Sequence, residues 1–224
     1  MDPGLVAAVS AGCAAASWAT TRFAVPRLPE PPTEELDGDP SPGYAGLAGA
    51  GQQAASLALG AAAGTVAGLQ PTPFLPLLAV LAGPVAALVL VDLRTTWLPL
   101  RLTHACWLLS GLAAVAPVLG GRAPSGLLQP LGGALAALAV FWLVWRLRAG
   151  LGFGDVRLAP MLGAGAAQLS WQHWQTWLLA GSLLGAVWGL ASQAWRRRHP
   201  SPLGQAFPYG PALWLGLWAS LLLA

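Results

Sequence analysis

Beyond residue 39 the chain carries only two carboxylates, Asp92 and Asp155, each at the edge of a long apolar run. An ionisable side chain at membrane depth is costly, so a pair kept in such surroundings marks a functional site by default. Two carboxylates sharing one low-dielectric site resist ionising together. One then holds a proton while the other stays charged, which is the condition for general acid and base work.

Asp155 follows Gly152-Phe153-Gly154. Glycines there let another part of the chain approach the backbone closely, or allow positive φ just before a helix begins. With 28 glycines in 224 residues, Gly-x-Gly is common by chance, so this tetrapeptide takes its weight from its partner. Asp92 leads into Leu93-Arg94-Thr95-Thr96-Trp97-Leu98-Pro99, with Pro99 placed to open the next helix. The plain alternative is an Asp at a helix end paired with Arg94 or Arg101.

Other chemistries lack their residues. No Glu occurs after Glu35, which removes a His-Glu-x-x-His zinc-protease helix. Ala123-Pro124-Ser125-Gly126 lacks the first glycine of a serine-protease Gly-x-Ser-Gly segment. His104, His173 and His199 are scattered and form no metal-ligand spacing; His173 sits among Trp171, Trp174 and Trp177 as in an interfacial aromatic belt. Cys13 and Cys106 lie far apart within apolar runs and read as small buried hydrophobes. No metal site and no cofactor is expected.

The elements that must position the two acids are membrane helices. The chain is 56% hydrophobic and 8% charged, which predicts an all-α, polytopic membrane protein. Apolar stretches run over about 5–23, 44–69, 74–91, 102–119, 127–145, 156–169, 177–195 and 207–223, giving about eight transmembrane helices. The sixth is short and contains Pro160, so it is expected to tilt, break or reach only partly across.

Lysine is absent, so arginine alone sets the topology. Alternating loops place Arg22, Arg27, Arg94, Arg101, Arg146, Arg148, Arg157 and Arg196 to Arg198 on one side and Arg122 on the other. By the positive-inside rule both termini lie outside, and Asp92 and Asp155 share the cytoplasmic boundary. The arginines fall singly or in small groups between apolar runs, a pattern that excludes nucleic acid and leaves the lipid bilayer as partner. Met1 to Gly4 has no positive n-region, so the first span is expected to be retained. Residues 26–43 carry six prolines and five of the eight acids and read as a flexible cytoplasmic linker within one membrane domain, 1–224.

Four separated segments resemble the prepilin peptidases, membrane aspartic proteases of the Gly-x-Gly-Asp class. Gly152-Phe153-Gly154-Asp155-Val156-Arg157 with Met161-Leu162-Gly163 is similar to the family's second catalytic segment, and Asp92 with Leu98-Pro99 to its first. Arg27-Leu28-Pro29 resembles the exit from the family's first span. Phe207-Pro208-Tyr209-Gly210-Pro211 resembles the entry to its last, and is read here first as a proline starting a helix.

The resemblance implies Asp92 and Asp155 as a catalytic dyad, with Gly152, Gly154, Arg157 and Pro99 shaping the site or contacting substrate. It implies cleavage of a prepilin or pseudopilin precursor between its leader and its apolar helix, at the inner membrane of a bacterium; whether the protein also pairs with itself as a homo-oligomer is left open by the sequence. Leu100 stands where many members carry another Asp, and Arg157 replaces the more usual Lys. The bifunctional members insert a domain with two Cys-x-x-Cys pairs in the first cytoplasmic loop; residues 26–43 contain no cysteine, so peptidase activity without N-methyltransferase activity is expected.

Helix ends suggest roles within the dyad. Asp155 would open its helix at the positive dipole end and act as base, while Asp92 would close its helix at the negative end and act as acid. Two other readings remain: a small proton-coupled transporter or channel using the same acids, and a non-catalytic membrane scaffold.

Overall fold

A computed structural model of the protein describes residues 2–32, 41–148, 150–196 and 207–223. Residues 33–40 of the expected linker, Arg197, Arg198 and His199 lie outside the described residues. The described residues form helices α1 (Pro3–Ala19), α2 (Ala50–Gly68), α3 (Leu75–Ala82), α4 (Pro84–Thr95), α5 (Leu100–Leu119), α6 (Leu128–Arg146), α7 (Phe153–Ala167), α8 (Trp171–Arg196) and α9 (Gly210–Leu223). With α3 and α4 taken as one interrupted helix, these are eight helices.

Five apolar helical segments are long enough to cross a membrane: Pro3–Arg27, Thr72–Thr95, Leu100–Leu119, Pro124–Arg146 and Trp171–Trp195. The segment Thr72–Thr95 lies at the centre. Its apolar window is 67% buried inside the protein, against 17–22% for the other four. A run such as Val85-Ala86-Ala87-Leu88-Val89-Leu90-Val91, apolar all round, is stable where other helices surround it, as they do here.

The central span is broken where the sequence suggested one continuous stretch. Gly83 leaves helical geometry at φ −96 and ψ −95, and Pro84 follows without a backbone N–H. Close by, the Trp214 indole donates to the Leu81 carbonyl at 2.8 Å, supplying a donor beside the break. An interruption at membrane depth needs such protein-supplied donors, because lipid offers none.

Three tight pairs, α1 with α2, α6 with α7 and α8 with α9, pack around this centre. Small residues make the close approaches. A Cβ on Gly60 or Gly64 would stand 2.8 Å from the Cys13 carbonyl oxygen or the Cys13 Cβ, and one on Gly68 would stand 2.9 Å from the Val6 Cα. This small-xxx-small stripe lets the α1 and α2 backbones meet, which is how helices gain contact where lipid removes the hydrophobic drive. Buried hydroxyls add to it, with Ser17 Oγ 2.8 Å from Ser56 Oγ and Thr21 donating to Ser56 at 2.9 Å. Gly133 and Gly163 play the same part between α6 and α7, as do Gly181 and Gly216 between α8 and α9.

Tryptophans lock the pairs together. Trp174 donates to the Gly133 carbonyl on α6 and Trp177 to the Leu213 carbonyl on α9, each at 3.0 Å. Of the tryptophans around His173, only Trp171 is well exposed; Trp177 is fully buried. Their indole N–H groups have backbone acceptors inside the bundle, which draws two of the three away from the lipid boundary. Cys13 and Cys106 are both buried and free.

Candidate active site

Asp92 occupies the last turn of α4. That helix stops because Thr96 adopts a left-handed conformation, φ 59, with its N–H on the Asp92 carbonyl at 2.7 Å. Thr95 Oγ1 holds the exit, donating to the Val91 carbonyl at 2.9 Å and accepting the Trp97 N–H at 3.1 Å. Pro99 then caps α5, its carbonyl accepting both the Thr103 N–H and the Thr103 hydroxyl. Leu98 and Pro99 thus belong to a fixed corner, not a free loop.

Asp155 stands in the first turn of α7, three residues after the N-cap Gly152. The Gly152 backbone hydrogen-bonds the Asp155 carboxylate, and the Asp155 N–H donates to the Gly152 carbonyl at 3.1 Å. This is half of a capping box: the acid at the third helical position satisfies an N-terminal donor, while Gly152 has no side chain to return the bond. Gly152 has φ −73 and needs no glycine freedom; the positive φ falls instead on Gly150, at 80. Gly154 is where close approach matters: a Cβ there would stand 2.9 Å from Leu98 Cδ1. The corner after α4 therefore rests on the start of α7.

Both carboxylates are buried, Asp92 at 4% exposure and Asp155 at 6%. The packing of Leu98 on Gly154, and of Gly210 on both Asp92 and Leu158, brings the two acid-bearing helix ends together although 63 residues of chain separate the acids. Among the described residues no three His, Cys, Asp or Glu side chains gather as a metal site would require. Of the remaining sequence-derived positions, Gly152 and Gly154 flank Asp155, Pro99 caps α5, and Arg157 lies two residues further along α7. Arg157 sets its guanidinium over the Phe153 ring at 4.7 Å, and its carbonyl accepts the Trp107 indole at 2.8 Å, tying α5 to α7.

A third helix end completes the site. The Gly210 N–H, at the start of α9, donates to Asp92 Oδ2 at 3.1 Å. A Cβ at Gly210 would stand 2.6 Å from that oxygen and 3.1 Å from Leu158 Cδ2, so only glycine lets the α9 backbone meet the carboxylate here. The preceding Tyr209 hydrogen-bonds Ser182 of α8. Sequence reasoning read Phe207 to Pro211 as a helix start and missed this contact. The Gly-Pro pair was a visible signal, but nothing local said which helix it would meet.

The arrangement has chemical content. Two buried carboxylates, one held by the N-terminus of α7 and one facing the N-terminus of α9, are groups of the kind that can exchange protons with water. The end of α4 and the starts of α7 and α9 converge on one face of the bundle.

Comparison with known proteins locates this face in a family. The sequence profile of the type IV leader peptidase family matches residues 79–190. The prepilin leader peptidase/N-methyltransferase of Aeromonas salmonicida (strain A449) is 36% identical over 142 residues, covering 61% of this chain and 45% of that protein. The protein of the same name from Aeromonas hydrophila is 35% identical over 142 residues with the same coverage, and that from Stutzerimonas stutzeri 35% identical over 95 residues, 40% of this chain and 30% of its own. The chain therefore spans less than half the length of these relatives. No solved structure gives a significant match. Since the profile takes in half of the chain, including both aspartates and the helices that carry them, the chain belongs to the type IV leader peptidase family.

Proposed function

We propose that the protein is a membrane aspartic endopeptidase that removes the leader from type IV prepilins or pilin-like precursors, with Asp92 and Asp155 as the catalytic dyad. What supports this reading is the burial of two carboxylates at converging helix ends, inside the stretch that matches the family. One aspartate, ionised, takes a proton from water as it attacks the scissile carbonyl. The other, protonated, donates to the developing oxyanion or the leaving amine. No covalent intermediate forms. The helix-end argument for Asp155 as base and Asp92 as acid loses its force, because Asp92 faces the N-terminus of α9 as well as ending α4. The dyad is better described as one site sharing a proton.

We read α2, α7 and α9 as further crossings beside the five long apolar segments, giving eight, in a bacterial cytoplasmic membrane with the dyad at the cytoplasmic face and both termini outside. At 1.5 Å per residue, the 15 residues of α7 and 14 of α9 span only about 21–23 Å of a hydrocarbon core about 30 Å thick. Their starts, with Asp155 and Gly210, then lie in a recess below the membrane surface that water and a leader segment can enter. The domain 1–224 acts as one peptidase unit. Residues 26–43, without cysteine, stand where the bifunctional enzymes carry their methyltransferase module, so the proposed activity is peptidase alone.

The test is co-expression with a candidate prepilin, with leader removal read on a gel. Asp92→Asn and Asp155→Asn should each abolish processing while membrane insertion is unchanged. Normal processing by either variant would end the dyad reading.

A further inference from the structure

The helix that carries Asp92 hangs on a break. α4 begins at Pro84, directly after Gly83, where the central span leaves helical geometry. Pro84 has no N–H to give the Val80 carbonyl, and the Ala87 N–H reaches the Gly83 carbonyl only at 3.4 Å. A helix interrupted in this way can bend, because the bonds that stiffen it are missing or long at one turn. Asp92 stands nine residues beyond Gly83, about 13 Å along the axis, so a bend of about 5° carries its carboxylate about 1 Å, a displacement worth about a hundredfold in rate.

One helix braces the break from both sides. At its start α9 gives the Gly210 N–H to Asp92 Oδ2 at 3.1 Å, and one turn further on the Trp214 indole donates to the Leu81 carbonyl of α3 at 2.8 Å. Gly210 and Trp214 are four residues apart and share a face of α9, so a single rigid element grips α4 near its far end and α3 just before the break. With both grips in place, the angle between α3 and α4 is fixed. The indole is itself locked, for Trp214 is 2% exposed and the Trp218 ring stands edge-on to it at 5.6 Å. Leu81 also anchors the helix of the other acid. Its side chain seats on Gly165 of α7, where a Cβ would collide with it. The end of α3 is thus a common footing for the helices that carry Asp92, Asp155 and Gly210.

We propose that Trp214 is a positioning residue for peptide cleavage: its indole N–H, held on the Leu81 carbonyl, fixes the bend of the central span and so the place of Asp92 in the site. The indole bonds α3 and not a carboxylate, so it acts through the α3–α4 angle. The inference rests on the peptidase reading. It adds to the dyad a residue that lies outside all the motif segments.

The test separates the donor from the bulk of the ring. Trp214→Phe keeps an aromatic ring and removes the N–H. Trp214→His loses the benzene half of the indole but puts an Nε2–H where the indole nitrogen stood, since imidazole overlays the five-membered ring. Full-length variants are purified in detergent, and leader removal from a candidate prepilin is followed per folded enzyme, taken from the monodisperse fraction. Trp214→Phe should lower turnover at saturating precursor about ten- to a hundredfold and move the half-saturating concentration by less than about threefold. Trp214→His should recover to within about threefold of wild type while melting below Trp214→Phe, because it leaves a cavity. A role in packing alone predicts the reverse order of rates. The bend itself is read by spin-label pairs from Arg94, exposed at the end of α4, to Arg22 beyond α1 and to Arg146 at the end of α6, so that a swing in either direction shows; Cys13 and Cys106 are buried and stay unlabelled. The distance distributions should broaden or shift in Trp214→Phe and match wild type in Trp214→His. Turnover by Trp214→Phe within about threefold of wild type, Trp214→His no faster than Trp214→Phe, or unchanged distances in Trp214→Phe overturns the proposal while wild-type cleavage keeps the peptidase reading. If wild type removes no leader, the peptidase reading falls, and the label distances still decide: a change in Trp214→Phe that Trp214→His reverses supports the brace, and its absence overturns it.

Discussion

Gly210→Ala tests the role of the third helix end. The added Cβ would stand 2.6 Å from Asp92 Oδ2, while a relaxed carbon–oxygen contact needs about 3.3 Å, so about 0.7 Å must be found. Withdrawal of α9 by that amount stretches the 3.1 Å bond from the Gly210 N–H beyond hydrogen-bonding range. Sideways escape of the new Cβ is hindered by Leu158 Cδ2, 3.1 Å from it, and retreat of the carboxylate displaces it from its place in the site. Either way a bond to a carboxylate is lost, at about 1.5–3 kcal/mol, and a reacting group is displaced by nearly 1 Å, worth about a hundredfold in rate. The two figures agree, since a hundredfold corresponds to about 2.8 kcal/mol. The assay is the time course of leader removal in membranes containing equal amounts of wild type, Gly210→Ala and Gly12→Ala, the last at an open helical site where a Cβ meets nothing. Gly12→Ala should behave as wild type and Gly210→Ala should be about a hundredfold slower. Processing by Gly210→Ala within threefold of wild type would refute the claim that α9 positions Asp92.

Two further outcomes are expected. A coupled carboxylate pair gives a bell-shaped dependence of cleavage on pH, because activity requires one proton on the dyad and is lost when it holds none or two; a flat profile over a range where the protein stays folded would count against that mechanism. Gly64→Val should lower the melting temperature in detergent by the equivalent of about 1–3 kcal/mol, since its Cβ already lies 2.8 Å from the Cys13 Cβ and 2.9 Å from the Ser10 Cα of α1; an unchanged melting temperature would mean that α1 and α2 are not held by backbone contact.

Much of this protein is written locally. Hydropathy identified the helices because each buries its own backbone polar groups, so length and apolar composition suffice without knowing any neighbour. The interruption at Gly83 is marked by Gly-Pro, but the strongly apolar run around it reads as one continuous span. Gly152 and Gly154 were expected to serve either close approach or positive φ. The structure separates them: Gly154 is approached by Leu98, Gly152 is an ordinary N-cap, and the left-handed glycine is Gly150.

That the chain is helical and membrane-embedded, and that its two isolated acids call for a function, is legible in composition and hydropathy alone. These follow from the cost of placing charge and unpaired backbone in hydrocarbon, a cost each segment meets on its own. The pairing of Gly210 with Asp92, 118 residues away, and the separation of α5 from α6 emerge only in the folded bundle. Those relations depend on which helix ends converge. That is set by where glycines let backbones meet across the bundle, and no segment carries the information alone.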